Sequence, residues 1–217
     1  MRKLYVMVAL FVLAGRLIGA APDQPAAEIR LPDPQTEGGK PLMTALKDRQ
    51  TIRAFSPKPL PPQVLSDLLW AAWGINRPES GKRTAPSARN WQEIDMYAVL
   101  PDGTYLYDAE AHSLQLHVPG DLRALTGTQA FAATAPLNLV FVADVTRMKG
   151  LPPDRQEFYY GADTGFISQN VYLFCASEGL GTVVRGLVDR DALASTLKLP
   201  EHNKIVFAQT VGYPAAD

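Results

Sequence analysis

Apolar side chains recur at helical spacing through Val64, Leu65, Leu68, Leu69, Ala72 and Trp73, the stripe of a helix with one face on a core. Pro61-Pro62 can open that helix and Gly74 ends it. A shorter helix is expected from Pro41 to Lys47. Ile94 to Leu100 reads as a strand, Pro101-Asp102-Gly103 as a turn, and Thr104 to Asp108 as the second strand of a hairpin. Leu114 to Val118 alternates weakly, Asp121 to Ala133 reads as helical, and Leu137 to Ala143 as a buried strand. Phe158 to Glu178 is long, mostly apolar and free of proline, which predicts a largely buried helix. A short helix at Asp189 to Leu197 and a last strand at Ile205 to Val211 complete the pattern, closed by Gly212-Tyr213-Pro214. Residues 75–85 and the glycine-bearing stretch after Glu178 read as loops. Helices and strands mix without strict alternation, so the expected class is α+β.

The first forty residues are patterned differently. A cationic start, Arg2-Lys3, precedes the apolar run Leu4 to Leu13 and the small-residue stretch Gly15 to Ala21. That is the layout of a secretory signal peptide over residues 1–20, cleaved after Ala20 or Ala21, and the run is short for a membrane span. No lipobox cysteine follows it, so the expectation is a periplasmic or secreted protein without a stable membrane anchor. Residues 21–40, with four prolines and two glycines from Pro22 to Gly39, read as a linker or extended arm. One domain is then expected over 41–217.

Composition narrows the function classes. With 47% apolar and 20% charged residues the 217-residue chain is ordinary globular material. Formal net charge is -1, and loss of Arg2, Lys3 and Arg16 with the leader would leave a mildly acidic protein. Neither value suits a nucleic-acid surface. The lone Cys175 allows no intramolecular disulfide and sits among apolar residues, as a buried thiol would. His112, His117 and His202 form no metal-ligand spacing. No Gly-x-Ser-x-Gly elbow, dinucleotide fingerprint or phosphate-binding Gly-Lys-Ser/Thr loop is present.

Three stretches carry candidate chemistry. In Arg49-Gln50-Thr51-Ile52-Arg53 an extended backbone would turn two guanidiniums and a hydroxyl to one face, a set suited to a phosphate. The plainer reading is a solvated basic patch after a helix. Pro86-Ser87-Ala88-Arg89-Asn90-Trp91-Gln92 leads into a strand with two carboxamides that can read a uracil-like ring edge, or simply serve as turn residues. Glu178-Gly179-Leu180-Gly181-Thr182, followed by Arg185-Gly186, lets the backbone approach a ligand closely, or caps a helix.

Taken in order, with Gly161-Ala162-Asp163, Gln169-Asn170 and the Gly212-Tyr213-Pro214 ending, these stretches resemble the nitroreductase family of FMN-dependent oxidoreductases over residues 40–214. Asn76-Arg77 and Arg83-Thr84-Ala85-Pro86-Ser87 look most like the branch with the thiazoline-oxidising dehydrogenases. The resemblance implies a central antiparallel sheet flanked by helices and a homodimer holding FMN at the subunit interface. By matching position, Arg49 and Thr51 would hold the phosphate, Arg53 would face the N1/O2 edge of the ring and Asn90 the pyrimidine edge. The backbone around Arg185 and Gly186 would lie near N5 and O4. Gln50, Pro86, Ser87, Gly181 and Thr182 complete the implied cofactor-binding set. The long helix would supply much of the dimer interface. The activity implied is transfer of hydride or electrons from a small-molecule donor to a small flat acceptor, nitroaromatic or quinone-like, with no side chain acting as acid or base. The alternative is a protein that keeps the fold and binds flavin or a related ligand without turnover. Many relatives carry a Lys or Arg after the Gly-Tyr-Pro ending. Here either Arg83, Lys204 or another cation replaces it, or FMN binds weakly.

Overall fold

The computed structural model describes residues 25–216, so the expected leader lies outside the described residues. Along the chain come β1 (Glu28–Arg30), α1 (Leu42–Asp48), α2 (Pro62–Trp73), β2 (Ile75–Arg77), β3 (Lys82–Arg83), β4 (Ile94–Val99), β5 (Gly103–Asp108) and β6 (Ser113–Pro119). They are followed by α3 (Phe131–Thr134), β7 (Leu137–Asp144), α4 (Pro153–Glu178), β8 (Gly181–Arg185), α5 (Arg190–Thr196) and β9 (Asn203–Gly212).

Seven strands form one antiparallel sheet in the order β1-β6-β5-β4-β7-β9-β8. The apolar run of β7 is explained by burial on both faces. Leu137, Leu139, Phe141 and Ala143 face the larger core under α2 and α4. Val140 and Val142 face a second core, where Leu193 and Leu197 cover the opposite side. β4 divides the same way, with Ile94, Met96 and Ala98 on one side and Tyr97 and Val99 on the other. The α+β class and the antiparallel sheet match the sequence reading.

The local differences have physical causes. Residues 75–85, read as loop, hold the β2–β3 hairpin around a single 3₁₀ turn. The helix expected over 121–133 breaks into a 3₁₀ turn, Arg123–Thr126, and α3. At Gly127 between them an added Cβ would fall 1.7 Å from Arg185 Nη1, so a distant side chain occupies the space a continuous helix needs. The glycine stretch at 181–185 is a strand, because β9 offers it a full pairing edge. The helix read as largely buried is α4. It starts earlier and shows only one face to the core, while Phe158 and Phe166 are exposed. Gly74 ends α2 with extended backbone, and its need for glycine is steric: a Cβ there would lie 2.4 Å from Trp70.

The arm is tied to the domain. β1 pairs with β6, Ser66 Oγ donates to Pro32 O at 2.6 Å, and Lys40 N donates to Ser177 Oγ at 2.8 Å. Among the described residues no helix is long and apolar enough to cross a membrane.

Candidate functional site

The first and third candidate stretches meet. Arg49 follows α1 and leads an extended segment whose Ile52 N donates to Thr182 O at 3.1 Å. The approach is close enough to require glycine at 181, where a Cβ would sit 2.8 Å from Ile52. The C-terminal ending docks on the next residues. Ser56 N donates to Tyr213 O at 2.9 Å, and Ala215 N to Ala54 O at 3.0 Å.

Tyr172 of α4 anchors this cradle. The Arg49 guanidinium lies 5.4 Å from its ring centre, and its hydroxyl is 3.2 Å from Thr51 Oγ1. The same hydroxyl accepts from Val184 N at 3.1 Å. With that acceptor position filled, Tyr172 is free to donate to Thr51, which leaves the threonine proton for a ligand. Arg49 and Arg53 form no ion pair among the described residues. Gln50 and Arg53 are exposed. Two uncompensated guanidiniums beside a hydroxyl are the donor set an anion needs.

The side chains of two other predicted residues are spent inside the fold. The Thr182 hydroxyl turns inward, donating to Thr210 O at 2.8 Å, so only the backbone of Thr182 faces the cradle. Arg185 is buried, donating from Nη1 to Thr126 O at 2.7 Å and from Nη2 to Asn138 Oδ1 at 2.9 Å. Burial without a carboxylate depresses its pKa to about 10. Its side chain braces the fold from behind, while Gly186 is exposed just past the strand. Of the proposed replacements for a C-terminal base, Lys204 lies near the start of β9 while Gly212 closes it, about 26 Å away at strand rise. Arg83 sits on Trp73, in the other region. The cation at the ending is Lys58, 4.4 Å from the Tyr213 ring centre, which the sequence reading missed.

The second stretch stands apart. Its turn contains three non-glycine residues in left-handed backbone, Arg89 (φ 51), Asn90 (φ 56) and Gln92 (φ 48). Such a conformation costs energy and persists only when its surroundings fix it. Ala88 N donates to Asp163 Oδ2 at 2.8 Å. Gln92 N donates to Ser87 Oγ at 2.9 Å, and Ser87 Oγ to Glu93 Oε2 at 3.2 Å. Glu93 and Asp163 are both buried, and Glu93 Oε1 has no partner so long as both carboxyls act only as acceptors. A proton on Glu93 directed at Asp163 removes that conflict. Desolvation, followed by the Asp163 charge, raises the Glu93 pKa to about 7. The Gln92 carboxamide is spent on Gly81 O, Asn90 Oδ1 and Arg83 Nε. Asn90 is exposed and its Nδ2 has no acceptor among the described residues, so it is the carboxamide open to a ligand.

Both regions hang from α4. Asp163 and Tyr172 are nine residues apart, about 14 Å along the axis and half a turn out of phase. They therefore flank the buried stripe of Thr164, Ser168, Val171 and Cys175 on opposite sides. Neither Tyr172 nor the Glu93–Asp163 pair was singled out as a site residue from the sequence. The only local signal was an acid immediately after the Gln92 turn and another in Gly161-Ala162-Asp163.

A cavity of about 850 Å³ lies elsewhere, between α4, α5 and β9. Its Arg190 is spent on the carbonyls of Ile205, Val206 and Gly186, so that cavity offers less to an anion. The histidines remain separate. His112 bonds Ser66 and Tyr107, His117 meets Leu197 O, and His202 lies 4.0 Å from Asp144.

Comparison with known proteins agrees with the family resemblance and the fold. Residues 46–213 match the Nitroreductase family. A Methanocaldococcus jannaschii protein provisionally named a nitroreductase is 34% identical over 185 residues, 81% of this chain and 91% of that protein. A crystal structure from Ralstonia eutropha, provisionally named a nitroreductase, superposes with a TM-score of 0.85 at 45% identity, covering 88% of this chain and 91% of that one. The NADPH:FMN oxidoreductase of Vibrio harveyi, solved with NAD+, shares the fold at 23% identity and a TM-score of 0.58, covering 81% of this chain and 69% of that one. The chain belongs to the nitroreductase family of oxidoreductases.

Proposed function

We propose that this protein is an exported FMN-dependent oxidoreductase that passes hydride or electrons from a small-molecule donor to a small flat acceptor of the nitroaromatic or quinone kind. One observation carries the reading: a cradle of uncompensated cations and a turn with an open carboxamide are both anchored to α4, at Tyr172 and at Asp163. The donor set fits the cofactor. Arg49 and Thr51, with Lys58 beside the C-terminal ending, would hold the phosphate, and Gln50 borders that end. Arg53, Pro86, Ser87 and Asn90 would meet the ring. The backbone of Gly181, Thr182, Arg185 and Gly186 would lie along it. Bound FMN would supply the redox chemistry, and the chain's residues bind, orient and exclude water.

The two regions face opposite flanks of α4, so one flavin that touches both draws them from two copies of the chain. Exposed Leu42, Met43 and Leu46 on α1 and exposed Phe158 and Phe166 on α4 support a homodimer. The leader expected at residues 1–20 supports a periplasmic or secreted location.

The test is the visible spectrum of the purified mature protein with and without added FMN, together with sedimentation. Flavin absorbance in a dimer is expected. No retained flavin and no micromolar FMN binding would end this reading. FMN bound to a monomer would overturn the two-copy site.

A further inference from the structure

The β2–β3 hairpin carries charges that the proposed flavin contacts do not use. Arg77 and Lys82 are direct cross-strand partners, and Arg83 follows next in the strand. Like charges facing each other destabilise a strand pair, and a two-stranded ribbon is marginal to begin with. None of the three forms an ion pair among the described residues. Glu79, in the same hairpin, is exposed and pairs with none of them.

The two arginines are also held in place. Arg77 donates from Nε to Asn76 Oδ1 at 3.1 Å and from Nη2 to Arg83 O at 2.7 Å. Arg83 donates from Nε to Gln92 Oε1 at 2.7 Å and from Nη1 to Trp73 O at 2.8 Å, with its guanidinium 4.8 Å from the Trp73 ring centre. Burial lowers the Arg83 pKa, and the charge of Arg147 adds to that. Tyr107, Asp95 and Asp108 act on Arg83 in the other sense, but none of them lines the cavity into which the hairpin opens. That cavity, about 230 Å³, is bordered by Arg77, Lys82, Arg83, Trp73, Ser87 and Asn90, and no acid borders it. Arg77 Nη1, Lys82 Nζ and Arg83 Nη2 have no acceptor among the described residues. The volume falls below that of a whole-ligand pocket, about 300 Å³ at the least, and suits one substituent of a larger molecule.

We propose that this cavity is an oxyanion subsite, which selects substrates bearing a carboxylate or phosphate and holds that group between Arg77, Lys82 and Arg83 with the aromatic part toward Asn90. The assignment rests on the reading that the 86–92 turn meets the flavin ring. The anion supplies the counter-charge the hairpin lacks, and Trp73 gives the substituent an aromatic wall.

The experiment is calorimetric binding of 4-nitrobenzoate, 4-nitrophenyl phosphate and the neutral 4-nitrobenzamide to the flavin-loaded protein, with FMN content measured in every sample. At least one anion is expected to bind about tenfold tighter than the amide, the scale of a charged hydrogen bond. Which anion is preferred separates carboxylate from phosphate substrates. The preference should shrink with added salt and approach unity in Arg77→Gln/Lys82→Gln. Lys82→Glu alone, on an exposed position, should reverse it and stands in if the double variant does not fold. Equal binding of anions and amide by the unaltered protein overturns the proposal, as does a preference that survives substitution with FMN content intact. Loss of FMN in the substituted proteins would assign these cations to the cofactor phosphate and overturn it too. An unaltered protein that takes up no FMN removes the reading beneath the proposal, and the FMN measurement identifies that case.

Discussion

At residue 172 α4 supports a stretch with no left-handed residue, short of charge compensation and open to solvent. At residue 163 it supports a turn with three left-handed residues stacked over two buried carboxyls. The cradle leaves donors unpaired and asks little of the backbone. The turn spends most of its polar atoms on itself and leaves one carboxamide outward. A phosphate can be met by flexible cations from several directions, whereas a ring edge must be met in one orientation. The contrast predicts that cradle substitutions act on ligand retention and turn substitutions act on the fold.

The largest expected effect is on the turn. The Glu93 pKa is raised, so its protonated form stabilises the folded state fully below about 4.5, and that contribution is lost as pH rises through about 7. The span corresponds to roughly 3 kcal/mol. Denaturant midpoints at pH 5 and pH 8 should therefore differ less in Glu93→Gln than in the unaltered protein, with the variant the more stable at pH 8. An unchanged pH slope would remove Glu93 from this role. Next, Arg49→Ala should weaken FMN retention by about 1.5–3 kcal/mol while leaving that slope intact. Dialysis against buffer with fluorescence of released flavin reads this, and unchanged occupancy would take Arg49 out of the site. Gly181→Ala should cost about 1–2 kcal/mol, because the new Cβ meets Ile52, whereas Gly186→Ala should cost under about 0.5 kcal/mol. Equal thermal midpoints for the two variants would show that the close approach at 181 is slack. Tyr172→Phe should cost about 1 kcal/mol in stability, with FMN loosened more than the turn.

Much of this architecture was legible locally. Two-sided burial made 137–143 a continuous apolar run, and one-sided burial gave α2 its stripe. The failures share a cause in distant partners. β8 carries glycine and looked like loop, since its strand character comes from pairing with β9. The helix expected at 121–133 is cut where Arg185 crosses Gly127. In the site, Arg49, Thr51 and Asn90 carry recognisable chemistry, but Tyr172 lies 121 residues from Thr51 and was invisible to any local pattern. Lys58 became interesting only once the C-terminal ending was placed beside it.

Mounting both regions on one uninterrupted helix sets a rule about length. Each residue added or removed between 163 and 172 would shift the two regions about 1.5 Å and swing one against the other by about 100°. Homologues that keep both contacts are therefore expected to hold that interval fixed to the residue. In an alignment, the absence of gaps across nine helical positions would be the mark of this shared mounting.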